Sequence, residues 1–562
     1  MGVLAHEVLV VGGGLAGLMA AFQARGRDVA VATKVYPHQS HSGAAQGGFN
    51  AAMGDPDSVE AHIYDTIKGS DFLADQDAVE VMCSEAPEVI RELDRLGVLW
   101  SRTADGRIAQ RALGGSSYPR ACYAADMSGQ VVLHGLYEQV LRCGIRLYPE
   151  WHLLELLVED GRVCGGVFWD LPSGRLEVIR ARAVVLATGG YGRVYAKTTN
   201  GLGSTGDGVA IAYRAGAVVS DLEFVQFHPT TLYGTNILIS EGARGEGGHL
   251  KNALGERFMA RYAPKAMELA PRDLVSRAIA TEIREGRGVE GAYVHLDLTH
   301  LGERLIRERL PQVHELALTY AGVDCAREPI PIEPGQHYSM GGIRTTTWCE
   351  TTIPGLFAAG ECANVSVHGA NRLGGNSLLE TVVFGRRAGR RVLEWLQQSG
   401  PAPVPERSLR AFLDRWNRAF DPACSRARSS REVAALRRAL TETMMARVGV
   451  FRVGPELEQA VAEVAALQEQ YGRLRVAPPG GAYDYALVAY WELGFLLDLA
   501  ELIAKGALRR TESRGGHARL DYPHRDDDRW LVHTFARRTE QGPVFEDGQV
   551  RLGRVTPQAR TY

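Results

Sequence analysis

Val8-Leu9-Val10-Val11 runs directly into Gly12-Gly13-Gly14-Leu15-Ala16-Gly17 and then into the apolar Leu18-Met19-Ala20-Ala21-Phe22. A short apolar run closed by glycine reads as a buried strand of a parallel sheet. The turn has the spacing G-x-G-x-x-G, set between a strand and a helix. Gly12, Gly14 and Gly17 then permit a tight turn and close backbone approach, so that a pyrophosphate can sit on the helix N-terminus. The bland alternative is a glycine-rich turn without a ligand, and strand and helix on either side favour dinucleotide binding. A second strand, Val29-Ala30-Val31-Ala32-Thr33, follows at the spacing of a βαβ unit. An acidic residue usually comes next to bind a ribose, but this chain has Lys34. That counts against a generic NAD site without counting against every flavin fold.

The chain has 562 residues, enough for about three to four domains at roughly 100–200 residues each. Its 63 Lys+Arg against 66 Asp+Glu leave a net charge of -3, which argues against a global nucleic-acid footprint. None of the eight cysteines is spaced as C-x-x-C. This disfavours an iron–sulfur or zinc-ribbon site in the chain, and the scatter suits reduced cytosolic thiols. Apolar runs fall short of the roughly 18 residues needed for a membrane span. The best of them, Leu493 to Ala504, is broken by Asp498 and Glu501. A strand beginning by Val8 argues against a signal peptide. Any membrane association is therefore expected through a partner.

The segment Lys34-Val35-Tyr36-Pro37-His38-Gln39-Ser40-His41-Ser42-Gly43-Ala44-Ala45-Gln46-Gly47-Gly48 brings small residues close to the glycine turn, where backbone can approach a flat ligand. It resembles the segment of the succinate dehydrogenase/fumarate reductase flavoprotein family in which the histidine of Ser-His-Thr or Ser-His-Ser carries FAD covalently. His41 is the matching position; His38 competes, but the Ala-Gln-Gly-Gly spacing favours His41. The resemblance makes Thr33, Lys34, Ser42, Gln46, Gly47 and Gly48 further cofactor contacts.

The similarity continues along nearly the whole chain. Ala187-Thr188-Gly189-Gly190, a second small-residue turn, follows the strand Ala183-Val184-Val185-Leu186, and Thr205-Gly206-Asp207-Gly208 opens a helix in which Asp207 resembles a flavin-contacting aspartate and also suits an N-cap. Gln226-Phe227-His228-Pro229 precedes Ser240-Glu241-Gly242-Ala243-Arg244-Gly245-Glu246-Gly247-Gly248. The family has threonine where Ser240 stands; the hydroxyl survives, but the methyl that restrains its rotamer is lost. Arg272-Asp273-Leu274-Val275-Ser276-Arg277 resembles the catalytic arginine segment, and His337-Tyr338-Ser339-Met340-Gly341-Gly342 matches another family motif. The longest match runs from Gly355 through Glu361 and His368-Gly369-Ala370-Asn371-Arg372 to Asn376-Ser377-Leu378-Leu379-Glu380. It implies flavin contacts at Glu361, Ser377 and Leu378 and a substrate-binding arginine at Arg372. Glu512–His517 and Tyr522–Asp528 also resemble family segments and read as an ordered polar module at a subunit contact. The Asp526-Asp527-Asp528 triplet suggests a metal, but a loop anchored by nearby arginines is the better reading, and no metal site is expected.

The chemistry implied by the resemblance is oxidation of succinate, a dianion that loses a hydride from one carbon and a proton from its neighbour. His228, Ser240, His337 and Arg372 supply donors to the carboxylates, Arg372 as a bidentate fork. Arg272 is the expected proton-transfer residue. Arginine is a poor base in water, with a pKa above about 12, but neighbours in a closed cationic site penalise its charge and a relay can share the proton. Glu241 is the expected relay, with Arg244 between it and solvent. Gln46, a neutral amide beside the flavin, would disfavour anionic reduced flavin less than a carboxylate would.

These readings predict an α/β fold: a Rossmann-like FAD-binding domain in two parts, 1–222 and 339–400, with an α+β capping domain, 223–338, inserted between them. A helical domain, 401–535, and a tail, 536–562, follow. Ser240, Glu241 and Arg272 would come from the cap and Arg372 from the flavin domain, so closure assembles the site. The resemblance implies the flavoprotein subunit of a succinate:quinone oxidoreductase. It would pass electrons to an iron–sulfur subunit on a quinone-handling membrane anchor, placing it peripherally at the cytoplasmic face of the membrane. The alternative is an L-aspartate oxidase-like flavoenzyme, against which Ser40-His41-Ser42-Gly43 argues.

Overall fold

The computed structural model describes residues 2–561, so Met1 and Tyr562 lie outside the description. Strand Gly2–Val11 pairs in parallel with Val29–Thr33 on one side and Arg175–Leu186 on the other. Arg146–Pro149, Leu356–Ala358 and the antiparallel pair Trp151–Glu159 and Arg162–Asp170 complete a seven-stranded sheet. Val8 to Ala32 contributes strands buried on both faces, as their unbroken apolar runs require.

Helix Leu15–Gln23 lies against helix Asn376–Gln398, which brings the second part of the flavin domain back onto the first. The approach is close: a Cβ on Gly385 would sit 2.6 Å from the Ala16 carbonyl oxygen. Gly12 has φ +118°, and a Cβ there would strike the Ala187 carbonyl oxygen, so the first glycine turn abuts the Ala187–Gly190 turn. A Cβ on Gly17 would collide with Gly12 itself.

A separate four-stranded antiparallel sheet holds Val225–Leu232, Ile330–Ser339, Val294–Asp297 and His249–Lys251. Helix Arg272–Arg284 covers it, and Ile239, Val275, Ile279, Leu296 and Ile332 share its own core. This sheet occupies the segment expected for the cap. Beyond it, helices Glu406–Arg418, Arg426–Arg447, Gly454–Arg473 and Tyr485–Arg509 pack on the antiparallel side of the main sheet. Ser425 and Asp484 cap two of them by accepting from the N–H groups of Arg428 and Leu487. No described helix is long and apolar enough to cross a membrane.

The boundary expected at 535/536 falls inside strand Val532–Thr539, which forms a hairpin with Gly542–Gln549. Residues 536–549 are therefore paired sheet rather than tail. The hairpin extends a five-stranded sheet through Val219–Ser220, which joins it to the flavin domain. Alternation along these short strands was too weak to signal pairing with residues more than 300 positions away. The Glu512–Asp528 module lies close by. Buried Glu512 accepts from Arg510 and Arg514, and Asp527 accepts from Arg514 and Arg525. Asp526 caps its own helical turn. Arg525 also reaches Asp71, while Arg277 of the cap donates to the Gly515 carbonyl. The module thus ties three parts of the chain together.

Candidate active site

Five segments meet at one place: the loop preceding helix Asn376–Gln398, strands Val225–Leu232 and Ile330–Ser339, the start of helix Arg272–Arg284, and the short helix Glu241–Gly245. Arg272 donates to Glu241 Oε2 through Nε at 2.8 Å and pairs with it through Nη2 at 2.6 Å. The other Glu241 oxygen accepts from the Gly114 N–H at 2.7 Å, 127 residues away in the flavin domain, and lies 3.7 Å from Arg244 Nη2. An Arg272–Glu241–Arg244 chain is therefore assembled and buried. Burial opposes ionisation of Glu241, but Arg272, then Arg244, and the Gly114 N–H overcome it and hold the carboxyl down to about 2. Burial and Arg272 lower the pKa of Arg244 against the pull of Glu241, and its Nε and Nη2 have no hydrogen-bond partner.

Arg372 is buried, lies over the Tyr338 ring at 4.5 Å, and leaves Nε unpartnered. Burial and then the Arg272 charge push its pKa down to about 9, so it remains cationic at neutral pH. The His228 and His337 rings lie 4.9 Å apart. Burial and then neighbouring positive charge hold both well below the usual histidine range, leaving neutral imidazoles. Thr199 Oγ1 lies 2.8 Å from His337 Nδ1 and orients that ring. Ser240 Oγ accepts from the Gly242 N–H at 3.1 Å, which leaves its proton free to donate. His228, Ser240, His337 and Arg372 thus offer hydrogen-bonding groups beside the Arg272–Glu241 pair, a cationic setting suited to a dicarboxylate.

On the other side lies the cradle built by the glycine turns. The N-terminus of helix Leu15–Gln23 has no side-chain cap at Gly14, and Leu15 N–H is held only by Ser42 Oγ at 3.3 Å. Ser40 Oγ, Gln46 Oε1 and Thr188 Oγ1 are buried without partners. Orphaned buried polar atoms along a glycine crevice fit a polar, flat dinucleotide. Gly47 and Gly48 follow Gln46 directly in the chain, and a Cβ on Gly48, at φ +117°, would lie 2.6 Å from the Cys122 carbonyl oxygen. The half-buried His41 accepts from the Gly201 N–H through Nδ1 at 3.3 Å, and Asn200 Nδ2 lies 3.3 Å from its Nε2. Burial and the Arg193 charge push its pKa down to about 4, so the imidazole is neutral. Glu361 accepts from the Ser339 N–H at 2.9 Å, and burial pushes its pKa up to about 7. Ser377 and Leu378 lie in the first turn of helix Asn376–Gln398, which opens at Gly375.

Lys34 and Asp207 are committed to each other. Lys34 Nζ donates to Asp207 at 2.8 Å and to Thr205, and pairs with Glu492 at 2.5 Å. His152 Nε2 lies 2.9 Å from Asp207. The N-cap reading of Asp207 is corrected: Gly206 is the cap, with φ 70°, and Asp207 is the first helical residue with no capping bond. Thr33 donates to the Val35 carbonyl and lies beside Gly13. Several nearby residues went unassigned from sequence: Arg111, Asn200, Thr199 and Gln226. Arg111 donates to the Gln46 and Gly47 carbonyls and lies within reach of Gly242, so it bridges cradle and cap. No local signal marked it, since its strand is two residues long.

The fold and this cradle define an FAD-dependent oxidoreductase, and the FAD binding domain family matches residues 7–378. The fumarate reductase flavoprotein C-terminal family matches 437–562. The chain is 44% identical to the succinate dehydrogenase flavoprotein subunit of Rickettsia felis, over 96% of this chain and 94% of that one. It is 43% identical to the fumarate reductase flavoprotein subunit of Mycobacterium tuberculosis H37Rv, over 98% and 96%. Among solved structures, a variant of E. coli quinol fumarate reductase superposes with a TM-score of 0.96 at 40% identity, covering 100% of this chain and 99% of that one. A Mycobacterium smegmatis Sdh1 complex with UQ1 gives 0.86 at 34%, covering 100% and 96%. The chain belongs to the succinate dehydrogenase/fumarate reductase flavoprotein family. These findings do not favour L-aspartate oxidase.

Proposed function

We propose that this chain interconverts succinate and fumarate at an FAD held covalently by His41, as the flavoprotein subunit of a succinate:quinone oxidoreductase. The observation that carries this reading is the buried Arg272–Glu241–Arg244 chain beside Arg372, His228 and His337.

Arg372 grips one carboxylate, while Ser240, His228 and His337 orient the other and polarise it, which stabilises carbanionic charge at the adjacent carbon. FAD, when bound, supplies the two-electron acceptor for the hydride. Arg272 gives a proton to Glu241, which is too acidic to retain it and hands it on past Arg244 toward solvent, and the neutral guanidine so formed takes the proton from the neighbouring carbon. In the reverse direction the same chain delivers a proton to fumarate. Gly12, Gly14 and Gly17 admit the pyrophosphate; Thr33, Lys34, Asp207, Glu361, Ser377 and Leu378 frame the cofactor; and Ser42, Gln46, Gly47 and Gly48 line it near His41. The His41 ring is held neutral, the form that attachment requires.

Electrons leave to an iron–sulfur subunit, which docks on membrane anchor subunits that handle quinone. The chain is then peripheral, at the cytoplasmic face of the membrane. The divisions at 222/223, 338/339 and 400/401 serve as a working scheme, with the last boundary moved ahead of the hairpin that opens at Val532.

The test is an intact mass after acid denaturation, flavin absorbance of the washed pellet, and succinate oxidation with an artificial acceptor. A mass raised by one FAD on the His41 peptide, with succinate turnover, is expected. A colourless pellet from active protein removes the covalent role of His41, and a flavin-loaded protein inactive on succinate and fumarate removes the reaction.

A further inference from the structure

Gln226 lies one strand residue before Phe227 and two before His228, at the edge where the cap sheet joins the flavin domain. It is buried and every polar atom of its amide is engaged. Oε1 accepts from Arg272 Nη1 at 3.2 Å. Nε2 donates to the Arg372 carbonyl at 2.8 Å and to Asn371 Oδ1 at 2.9 Å. Asn371 is itself fixed, donating to the Gly69 carbonyl at 3.0 Å. One neutral side chain therefore touches the two arginines assigned to different jobs, one for proton transfer and one for carboxylate binding.

Building on the function proposed above, we infer that Gln226 is a positioning residue that sets the spacing of Arg272 and Arg372 across the cap–flavin boundary. Only an amide satisfies both sides. The carbonyl end meets a guanidinium donor, and the NH₂ end meets two acceptors, the Asn371 side chain and the Arg372 backbone. A carboxylate would face those acceptors without a proton, and an apolar side chain would take this partner from Arg272 Nη1, Asn371 Oδ1 and the Arg372 carbonyl in a buried place. Neutrality matters as well. Arg272 already has one carboxylate, Glu241, and a second would compete with it for the guanidinium. The other charged groups facing this position are Arg372, behind the loop, and Asp273 and Arg277, which line the small cavity on its far side.

The experiment compares flavin-loaded wild type, Q226L and Q226E for kcat and KM toward succinate across pH, normalised to bound flavin. A displaced reacting group costs on the order of 10²-fold in rate, so Q226L should lose that much in kcat, with a smaller rise in KM. Q226E should need a higher pH to reach half its maximal succinate oxidation, because it places a second negative charge beside the Arg272–Glu241 pair; Q226L should not share that shift. If Q226L yields no folded protein, Q226E, which keeps the size and the Arg272 contact, decides by its pH profile. Variants that retain wild-type kcat and pH profile per flavin overturn the inference while leaving the proposed reaction intact. A wild type inactive on succinate and fumarate overturns both.

Discussion

Replacing Glu241 by glutamine removes the carboxylate that joins the cap to the flavin domain. In the native arrangement one oxygen serves Arg272 and the other the Gly114 N–H. An amide can serve only one of them and turns an N–H toward the other. The fall from an ordinary 4.5 to about 2 favours the ionised form by about 3 kcal/mol. That agrees with the roughly 3–5 kcal/mol found when one partner of a buried pair is removed. Because the folded pKa lies below the unfolded one, this stability is full above about pH 4.5 and is lost as pH falls through about 2. At pH 3 linkage leaves about 1.4 kcal/mol. Hydrogen exchange of the helix Arg272–Arg284 and its neighbours, corrected for intrinsic rates, reads the opening free energy of the cap in both proteins. The wild type should exceed Glu241→Gln by about 3 kcal/mol at pH 7 and by less than half that at pH 3. The same variant should lose about 10²–10⁴ in kcat if the relay carries the proton. A stability gap that does not narrow between pH 5 and pH 3 would refute the assignment of ionised Glu241 as the clamp.

Arg372→Lys keeps the charge but loses the fork and the stacking over Tyr338; kcat/KM for succinate should fall by about 2–4 kcal/mol in transition-state terms, read by steady-state kinetics. Gln46→Glu places a negative charge beside the flavin and should lower its midpoint potential, as measured by spectroelectrochemical titration; an unchanged potential removes Gln46 from that neighbourhood. Glu361 holds its proton in the fold up to about pH 7, whereas the unfolded carboxyl releases it near 4.5. The fold therefore loses about 3 kcal/mol as pH rises through that window. Glu361→Gln, which keeps an acceptor for the Ser339 N–H, should show a flatter dependence of thermal stability on pH between 4.5 and 7 than wild type.

Some of this site could be read before any coordinates. The glycine spacing at 12, 14 and 17 needed only steric reasoning, and the structure shows the contact it protects: a side chain at Gly12 or Gly17 would strike backbone. His228, Ser240, Glu241, Arg272, His337 and Arg372 stood out because each lies in a segment that resembles a motif of the succinate dehydrogenase/fumarate reductase flavoprotein family. Arg111 did not, because its two-residue strand carries no periodic signal and its importance comes from reaching Gln46 and Gly47. Asp207 looked like a cap in its local context, but tertiary packing gave its carboxylate to Lys34 and His152 instead.

By itself, then, the order of residues determined the α/β plan, the glycine cradle and the inventory of charged and hydrogen-bonding groups. These depend on interactions a few residues long: strand runs, tight turns, helix starts. Tertiary structure alone decided which of those groups touch. The clamp of Glu241 by Gly114, the shared amide of Gln226, the Lys34–Asp207–Glu492 pairing and the closing of the C-terminal hairpin onto the flavin domain all join residues far apart in the chain. Their energies depend on burial and on distances of about 3 Å, which only the packed fold defines.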